Sequence, residues 1–221
     1  QCSTDVYCLF HSRYVMNKKV YLHKTVDIVS LMIQDIFRTL DPVFNISSSI
    51  DDLDRFCSLT DQTIFERLSL VANPPSWMKL ELQDDHVPLI HRAQKIHNDL
   101  TQRRLYRMVR EFLIEKDEDR ETLNQTRSDL VRSGIRSNDL IVVRRRAGYV
   151  GSDISDPFAN VYFYSNSDQT DSFVLKPKYF SLLINGHPNE EMGRIIYRGS
   201  DPEALSRARR LASLAGSGCH L

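Results

Sequence analysis

Between Phe10 and Thr25 the sequence reads Phe-His-Ser-Arg-Tyr-Val-Met-Asn-Lys-Lys-Val-Tyr-Leu-His-Lys-Thr. The cations Arg13, Lys18, Lys19 and Lys24 fall in this stretch with His11, His23, Tyr14 and Tyr21, and the nearest carboxylate downstream is Asp27. A guanidinium offers a planar fork to phosphate oxygens, an ammonium a mobile point charge, and a phenol ring a face for a sugar or base. Together these residue types suit a polyphosphate or nucleotide. The same spacing also describes a solvated basic helix face. A second basic stretch, Gln102-Arg103-Arg104-Leu105-Tyr106-Arg107, reads either as a nucleotide contact or as an edge strand or helix end with solvated arginines. A third, Arg144-Arg145-Arg146, follows the apolar run Leu140–Val143 and reads as solvated charge beyond a strand, so no site is assigned to it.

Catalytic motifs are absent from the sequence: no P-loop, no Gly-x-Gly-x-x-Gly, no Gly-x-Ser-x-Gly and no His-Glu-x-x-His. None of the seven histidines precedes an aspartate, and Asp84-Asp85-His86 has no partner at ligand spacing, which makes it an exposed loop. The four cysteines form no Cys-x-x-Cys pair and none stands at zinc-finger spacing to a histidine, so reduced thiols are expected. Neither a catalytic nor a metal-binding residue is expected within this chain.

The elements that must position the basic segments follow from periodicity. At 221 residues with 41% hydrophobic content the chain suits one ordinary domain or two small ones. The balance of 29 basic against 29 acidic residues excludes a globally basic nucleic-acid binder but leaves local patches open. Apolar residues at Val26, Val29, Ile33, Ile36 and Leu40 predict a helix over 21–40, stopped by Asp41-Pro42. A short helix is predicted over 50–57 with Ser48 or Ser49 as cap, another over 61–72, and a third over 86–100 with Leu89, Ala93, Ile96 and Leu100 on its face. The stretch 103–113 fits a strand or a helix, and a helix through 128–131 ends at Gly134. Strands are predicted at 139–143, 161–164, 173–175 and 194–197, and a last helix starts at Asp201-Pro202 and runs up to Gly216. Loops or boundaries are expected at 117–121 and 148–155. The sum is an α+β chain, mainly helical in its first half (1–115) and ending in a small mixed α/β lobe (116–221). No stretch of about 18 apolar residues and no leader pattern is visible, so no membrane partner and an intracellular location, nuclear or cytoplasmic, are expected.

Phe10-His11-x-Arg13 followed by Lys19-x-Tyr21-x-His23-Lys24 resembles a segment of the HD-domain deoxynucleoside triphosphate triphosphohydrolases, closest to the branch of animal cells that also carries a SAM domain. The likeness continues in order through Ile50-Asp51-Asp52, Leu59-Thr60-Asp61 with Ile64-Phe65, Arg103-x-Leu105-Tyr106-Arg107-x-Val109, Asp156-Pro157 with Val161-x-Phe163-Tyr164, and Arg207-Ala208-Arg209. It implies that residues 1–115 are the C-terminal part of an all-α HD-type domain. It further implies cleavage of a dNTP to a deoxynucleoside and triphosphate, with water activated by a divalent metal (Mg, Mn, Fe or Zn). By position, Arg13 would meet the substrate triphosphate and Tyr21 the deoxyribose. Lys19, His23, Lys24 and Thr25 would fall at an allosteric dNTP site, and Arg103 and Arg107 at a neighbouring GTP site, in a homo-oligomer (dimer or tetramer).

The departures are specific. The HD motif that precedes this region in the family is missing, so this chain alone is expected to bind no metal and hydrolyse nothing. Leu22 stands where the family branch has a glutamine beside the substrate, Ser155 where it has an allosteric lysine, and Asn17 where it has a histidine. Two readings follow. One is the regulatory and oligomerising C-terminal portion of a longer dNTP triphosphohydrolase. The other is a non-catalytic module that binds nucleotides or single-stranded nucleic acid through phosphate neutralisation and stacking.

Overall fold

The computed structural model describes residues 2–78, 82–148, 160–165, 168–176 and 189–214. It is an α+β fold whose helices dominate the first half. Two compact units emerge, one of residues 27–106 and one, discontinuous, of residues 1–26 with 107–221. The boundary expected at 115/116 lies inside the discontinuous unit, immediately after β1 (Arg107–Ile114). That strand is drawn there by its hydrogen bonds to β5 (Asn189–Tyr197), far along the chain.

The 27–106 unit is helical. Its core is Ile36 and Leu40 of α2 (Lys24–Phe44), Ile64 and Leu68 of α4 (Asp61–Ala72), and Ile90 and Ala93 of α5 (His86–Thr101). Three details correct the sequence reading. Pro42 does not stop α2, which runs two residues further. A proline forfeits only its own amide bond, and Asn45 still donates to the Asp41 carbonyl at 2.8 Å before leaving the helix at φ 50°. The cap of the short helix α3 (Leu53–Ser58) is Asp52 rather than a serine, its carboxylate accepting from the amides of Asp54 and Arg55. On α5 the fully buried position is Ile90, with Leu89 at the margin of the stripe. The helix over 61–72 is as expected, opened by a reciprocal Thr60–Thr63 capping box.

The discontinuous unit is built on a three-stranded antiparallel sheet of order β1-β5-β2, with β2 spanning Leu140–Gly148. Helices α6 (Asp117–Arg132) and α7 (Pro202–Leu214) cover one face through Leu123, Leu130, Ala204, Ala208 and Ala212, packed on Ile195, Tyr197 and Leu140. Helix α1 (Cys2–Met16) packs on β2 within the same unit. A bulge between Met108 and Arg110 frees the Met108 carbonyl, which accepts from Nε and Nη2 of Arg209. A separate hairpin pairs β3 (Tyr162–Ser165), near the predicted 161–164, with β4 (Asp168–Val174), which starts five residues before the predicted 173–175.

Residues 117–121, expected as a loop, form the first turn of α6. Asp117, Glu118 and Asp119 sit at its positive end, and Asp119 accepts from the amides of Lys116 and Glu115, which hold its carboxyl below the usual range. Gly134 ends α6 at φ 94°, as predicted. The triplet Arg144–Arg146 lies inside β2 rather than beyond it. The expected loop at 149–155 and the stop at Gly216 lie outside the described residues.

Close approach between sheet and helix makes Gly193 indispensable. A Cβ there would stand 2.6 Å from Cδ2 of Leu123, a side chain 1% exposed, and 3.1 Å from Cδ1 of Ile114. Gly193→Ala is expected to destabilise the protein by about 1–3 kcal/mol. Adding Leu123→Val should recover part of the loss, as read by urea denaturation.

Candidate functional site

The cationic segment passes through three backbone states. Helix α1 carries Arg13 in its last turn. After Met16 the pattern widens to a π-helix over Asn17–Tyr21, closed by the Leu22 amide donating to the Asn17 carbonyl at 2.8 Å. Such a turn admits an extra residue and re-aims the side chains that follow, which is why π turns recur at functional sites. His23 then caps α2: its Nδ1 accepts from the Thr25 amide at 3.3 Å, and its carbonyl accepts from Val26 at 2.9 Å. Lys24 and Thr25 thus occupy the first turn of a 21-residue helix, where the macrodipole favours an anion.

Two polar anchors hold the segment to the sheet. Tyr14 Oη donates to Glu190 Oε1 at 2.6 Å, and Lys18 Nζ donates to Glu190 Oε2 at 2.6 Å and to Tyr14 Oη at 2.9 Å. Burial and the Glu190 hydrogen bond push the Tyr14 phenol up; the Glu190 and Tyr14 hydrogen bonds push Lys18 up. Burial alone would raise Glu190, but the bonds from Lys18 and Tyr14 outweigh it and leave the carboxyl below its ordinary value. The second anchor is Arg194, 3% exposed, which donates through Nη1 to the Leu22 carbonyl at 2.7 Å and through Nε to Glu111 of β1.

Of the residues singled out by sequence, Arg13, Lys19, Tyr21, His23, Lys24 and Thr25 all lie on this segment and are all exposed. Among the described residues, Arg13, Lys19 and Lys24 engage no side-chain partner, whereas Lys18 is committed to Glu190. Arg103 and Arg107 belong to different units and are exposed in each. Arg103 ends α5 in the left-handed region at φ 56°. Its amide reaches the Leu100 carbonyl at 3.1 Å and the Arg104 amide reaches Asp99 at 2.8 Å, so arginine fills the slot that glycine normally takes in a Schellman cap. Glu190 and Arg194 escaped the sequence reading because they stand some 172 residues from the groups they bind.

Among the described residues no group of three or more His, Cys, Asp or Glu side chains is assembled to hold a metal ion. The donor set that the family resemblance implies therefore does not fit the groups described, and no step through a metal is derived. No helix among the described residues is long and apolar enough to cross a membrane.

A basic π-turn segment clamped to an antiparallel sheet leaves Arg13, Lys19 and Lys24 exposed on an α+β chain. By sequence the chain is related to HD-domain dNTP triphosphohydrolases. It is 33% identical over 209 residues, 94% of its length, to an HD domain-containing protein of Acanthamoeba polyphaga mimivirus, of which it covers 45%. It is 29% identical over 199 residues to the Dictyostelium discoideum homologue of the deoxynucleoside triphosphate triphosphohydrolase SAMHD1, covering 89% of this chain and 36% of that protein. Against the Danio rerio SAMHD1 enzyme identity is 28% over 225 residues, 93% of this chain and 34% of the relative. The chain thus spans less than half the length of these curated relatives. No protein-family profile matches it.

The Glu190 anchor has a definite pH window. A carboxyl depressed in the folded state contributes stability above its unfolded value, near 4.5, and loses it as pH falls through the lower folded value. Lys18, raised above 10.5, keeps its contribution until strongly alkaline pH. Glu190→Gln is therefore expected to raise amide exchange across residues 13–22 at neutral pH by roughly fivefold, about 1 kcal/mol for a partly solvated pair. The difference from wild type should shrink as pH falls below 4.5 and vanish once wild-type Glu190 is protonated.

Proposed function

We propose that this chain is the C-terminal regulatory and oligomerising portion of a dNTP triphosphohydrolase that cleaves dNTPs to deoxynucleosides and triphosphate. The reading rests on one observation: similarity over about nine-tenths of the chain to proteins named for that activity. In this proposal Arg13 takes the substrate triphosphate, where a guanidinium fork suits oxygens that gain charge as the leaving group departs. The exposed Tyr21 packs on the deoxyribose. Lys19, His23, Lys24 and Thr25 take the phosphates of an allosteric dNTP, a role compatible with the positive end of the α2 macrodipole. Arg103 and Arg107 take a guanine nucleotide. The water-activating divalent metal is held by residues outside 1–221, the assembly is a homo-oligomer, and the protein works inside the cell. The single-stranded nucleic-acid reading remains the competitor that the tests below separate.

Two measurements decide between them. The denatured intact mass of the protein from its native source is expected to exceed 25.6 kDa. Arg13→Ala in that protein should lower triphosphate release by at least about 10²-fold, the order lost with one transition-state contact to developing charge. A mass near 25.6 kDa with no co-purifying HD-bearing chain would overturn the proposal. So would an Arg13→Ala protein with full turnover and a single-stranded RNA affinity that collapses with salt.

Arg103 offers an independent check. Replacing a left-handed arginine by glycine relieves about 1 kcal/mol of backbone strain. Arg103→Gly should therefore leave the chain as stable as wild type or more so, while GTP no longer shifts its oligomeric state in sedimentation. A GTP response equal to wild type would remove Arg103 from the nucleotide site.

A further inference from the structure

Tyr21 is the last residue of the π turn, and its side chain is 59% exposed. The position of its ring is set by the backbone that carries it, and that backbone is held on both sides of the next residue. The Leu22 amide donates to the Asn17 carbonyl at 2.8 Å, and the Leu22 carbonyl accepts from Nη1 of Arg194 at 2.7 Å. Among the described residues, the bond from Arg194 is the one hydrogen bond that joins residues 19–25 to the sheet. The Glu190 anchor acts earlier, at Tyr14 and Lys18.

The chemistry of Arg194 fits this task better than it fits a need for stability. The residue is 3% exposed and stands directly opposite Glu111 in the β1–β5 ladder, where its Nε donates to that carboxylate. A buried ion pair is often no more stabilising than apolar side chains of similar volume, so stability alone does not call for a guanidinium here. What a guanidinium adds is a planar, rigid fork. With Nε fixed by Glu111, Nη1 is aimed at a set point, and the Leu22 carbonyl meets it there. A lysine offers one nitrogen on a flexible stem and fixes no such direction.

We propose that Arg194 is the positioning residue for Tyr21 and through it sets a preference for deoxyribose over ribose. This rests on the dNTPase reading above, in which the Tyr21 ring packs on the sugar. A ring rejects a 2′-hydroxyl only by occupying its space, so the discrimination depends on where the ring stands. Rejection of one hydroxyl by packing is worth about 10²-fold, and a displacement of about 1 Å can forfeit as much. Arg194 is buried and acts through the Leu22 backbone rather than on the ligand.

The test compares kcat/KM for dATP and ATP in the full-length protein carrying Arg194→Lys, which keeps a positive charge beside Glu111 and loses the fork. The dATP:ATP ratio is expected to fall by at least about tenfold, chiefly through gained ATP turnover. Glu111→Gln, at a position 44% exposed, keeps an acceptor for Nε while weakening its hold, and should move the ratio the same way by a smaller factor. Leu130→Ala is the control: it opens a cavity in the core under α6 and α7, lowers stability and should leave the ratio as in wild type. A merely structural role for Arg194 would lower turnover of both nucleotides together and spare the ratio. Wild-type preference for dATP retained in both variants overturns the inference, as does a proportional loss of both activities. A wild type that hydrolyses dATP and ATP alike overturns it too, and leaves the dNTPase reading standing. A wild type that releases triphosphate from no dNTP overturns the dNTPase reading, and this inference with it.

Discussion

A single buried guanidinium sets the terms for the discontinuous unit. Arg194 sits in the middle of the central strand at 3% exposure, and a charge in that position is tolerated only when its hydrogen bonds are met. Glu111, directly across the β1–β5 ladder, supplies the counter-charge. The Leu22 carbonyl supplies a second acceptor from just after the π turn. Leaving such a charge unpaired costs on the order of 3–5 kcal/mol, a large share of an ordinary domain's stability. The cationic segment, β1 and β5 therefore cannot come apart one at a time. This is why residues 1–26 join 107–221 rather than the helices that follow them in sequence.

The anchor also sorts the cations. Composition counts Lys18, Lys19, Arg13 and Lys24 as equals, yet one of them is bound into the fold by Glu190 and Tyr14 while the other three face solvent. Arg209 is likewise committed, closing a bulge at the Met108 carbonyl, although it falls in a stretch that resembles the family. A basic residue becomes available to a ligand only when no internal acceptor claims it. For Lys18, Arg194 and Arg209 the internal claims are made by Glu190, Glu111 and the carbonyls of Leu22 and Met108.

That sorting marks the limit of what sequence alone could disclose. Local rules succeeded where the causes were local. The helix over 61–72 follows from Thr60 and its apolar stripe, and the stop at Gly134 from a left-handed turn. They failed where a long-range partner or a milder cost intervened. Pro42 was tolerated because it lies in the last turn, where one lost amide bond is cheap. Residues 117–121 looked like a charged loop until the helix dipole is considered, and three acids at an N-terminus are a helix signal. The exposure of the proposed site residues was legible from their types, because charged and polar side chains stay in water. Glu190 and Arg194 left no such signal, since neither has a local spacing to its partner.

The two basic systems of the sheet unit are coupled through strand geometry. Adjacent residues of a strand point to opposite faces, so Glu190 turns toward Tyr14 and Lys18 while Glu191 turns toward Arg120, Arg144 and Arg146. Each glutamate pairs with basic side chains on its own side. A slip of one residue in the β2–β5 register would exchange them, and Arg194 would leave the Glu111 side for the apolar face where Ile195 packs among Leu123, Leu130 and Ala208. The cost of that exchange is borne by the buried arginine, not by the glutamates. Arg194 thus fixes the register, and the register in turn assigns one carboxylate to each cationic surface.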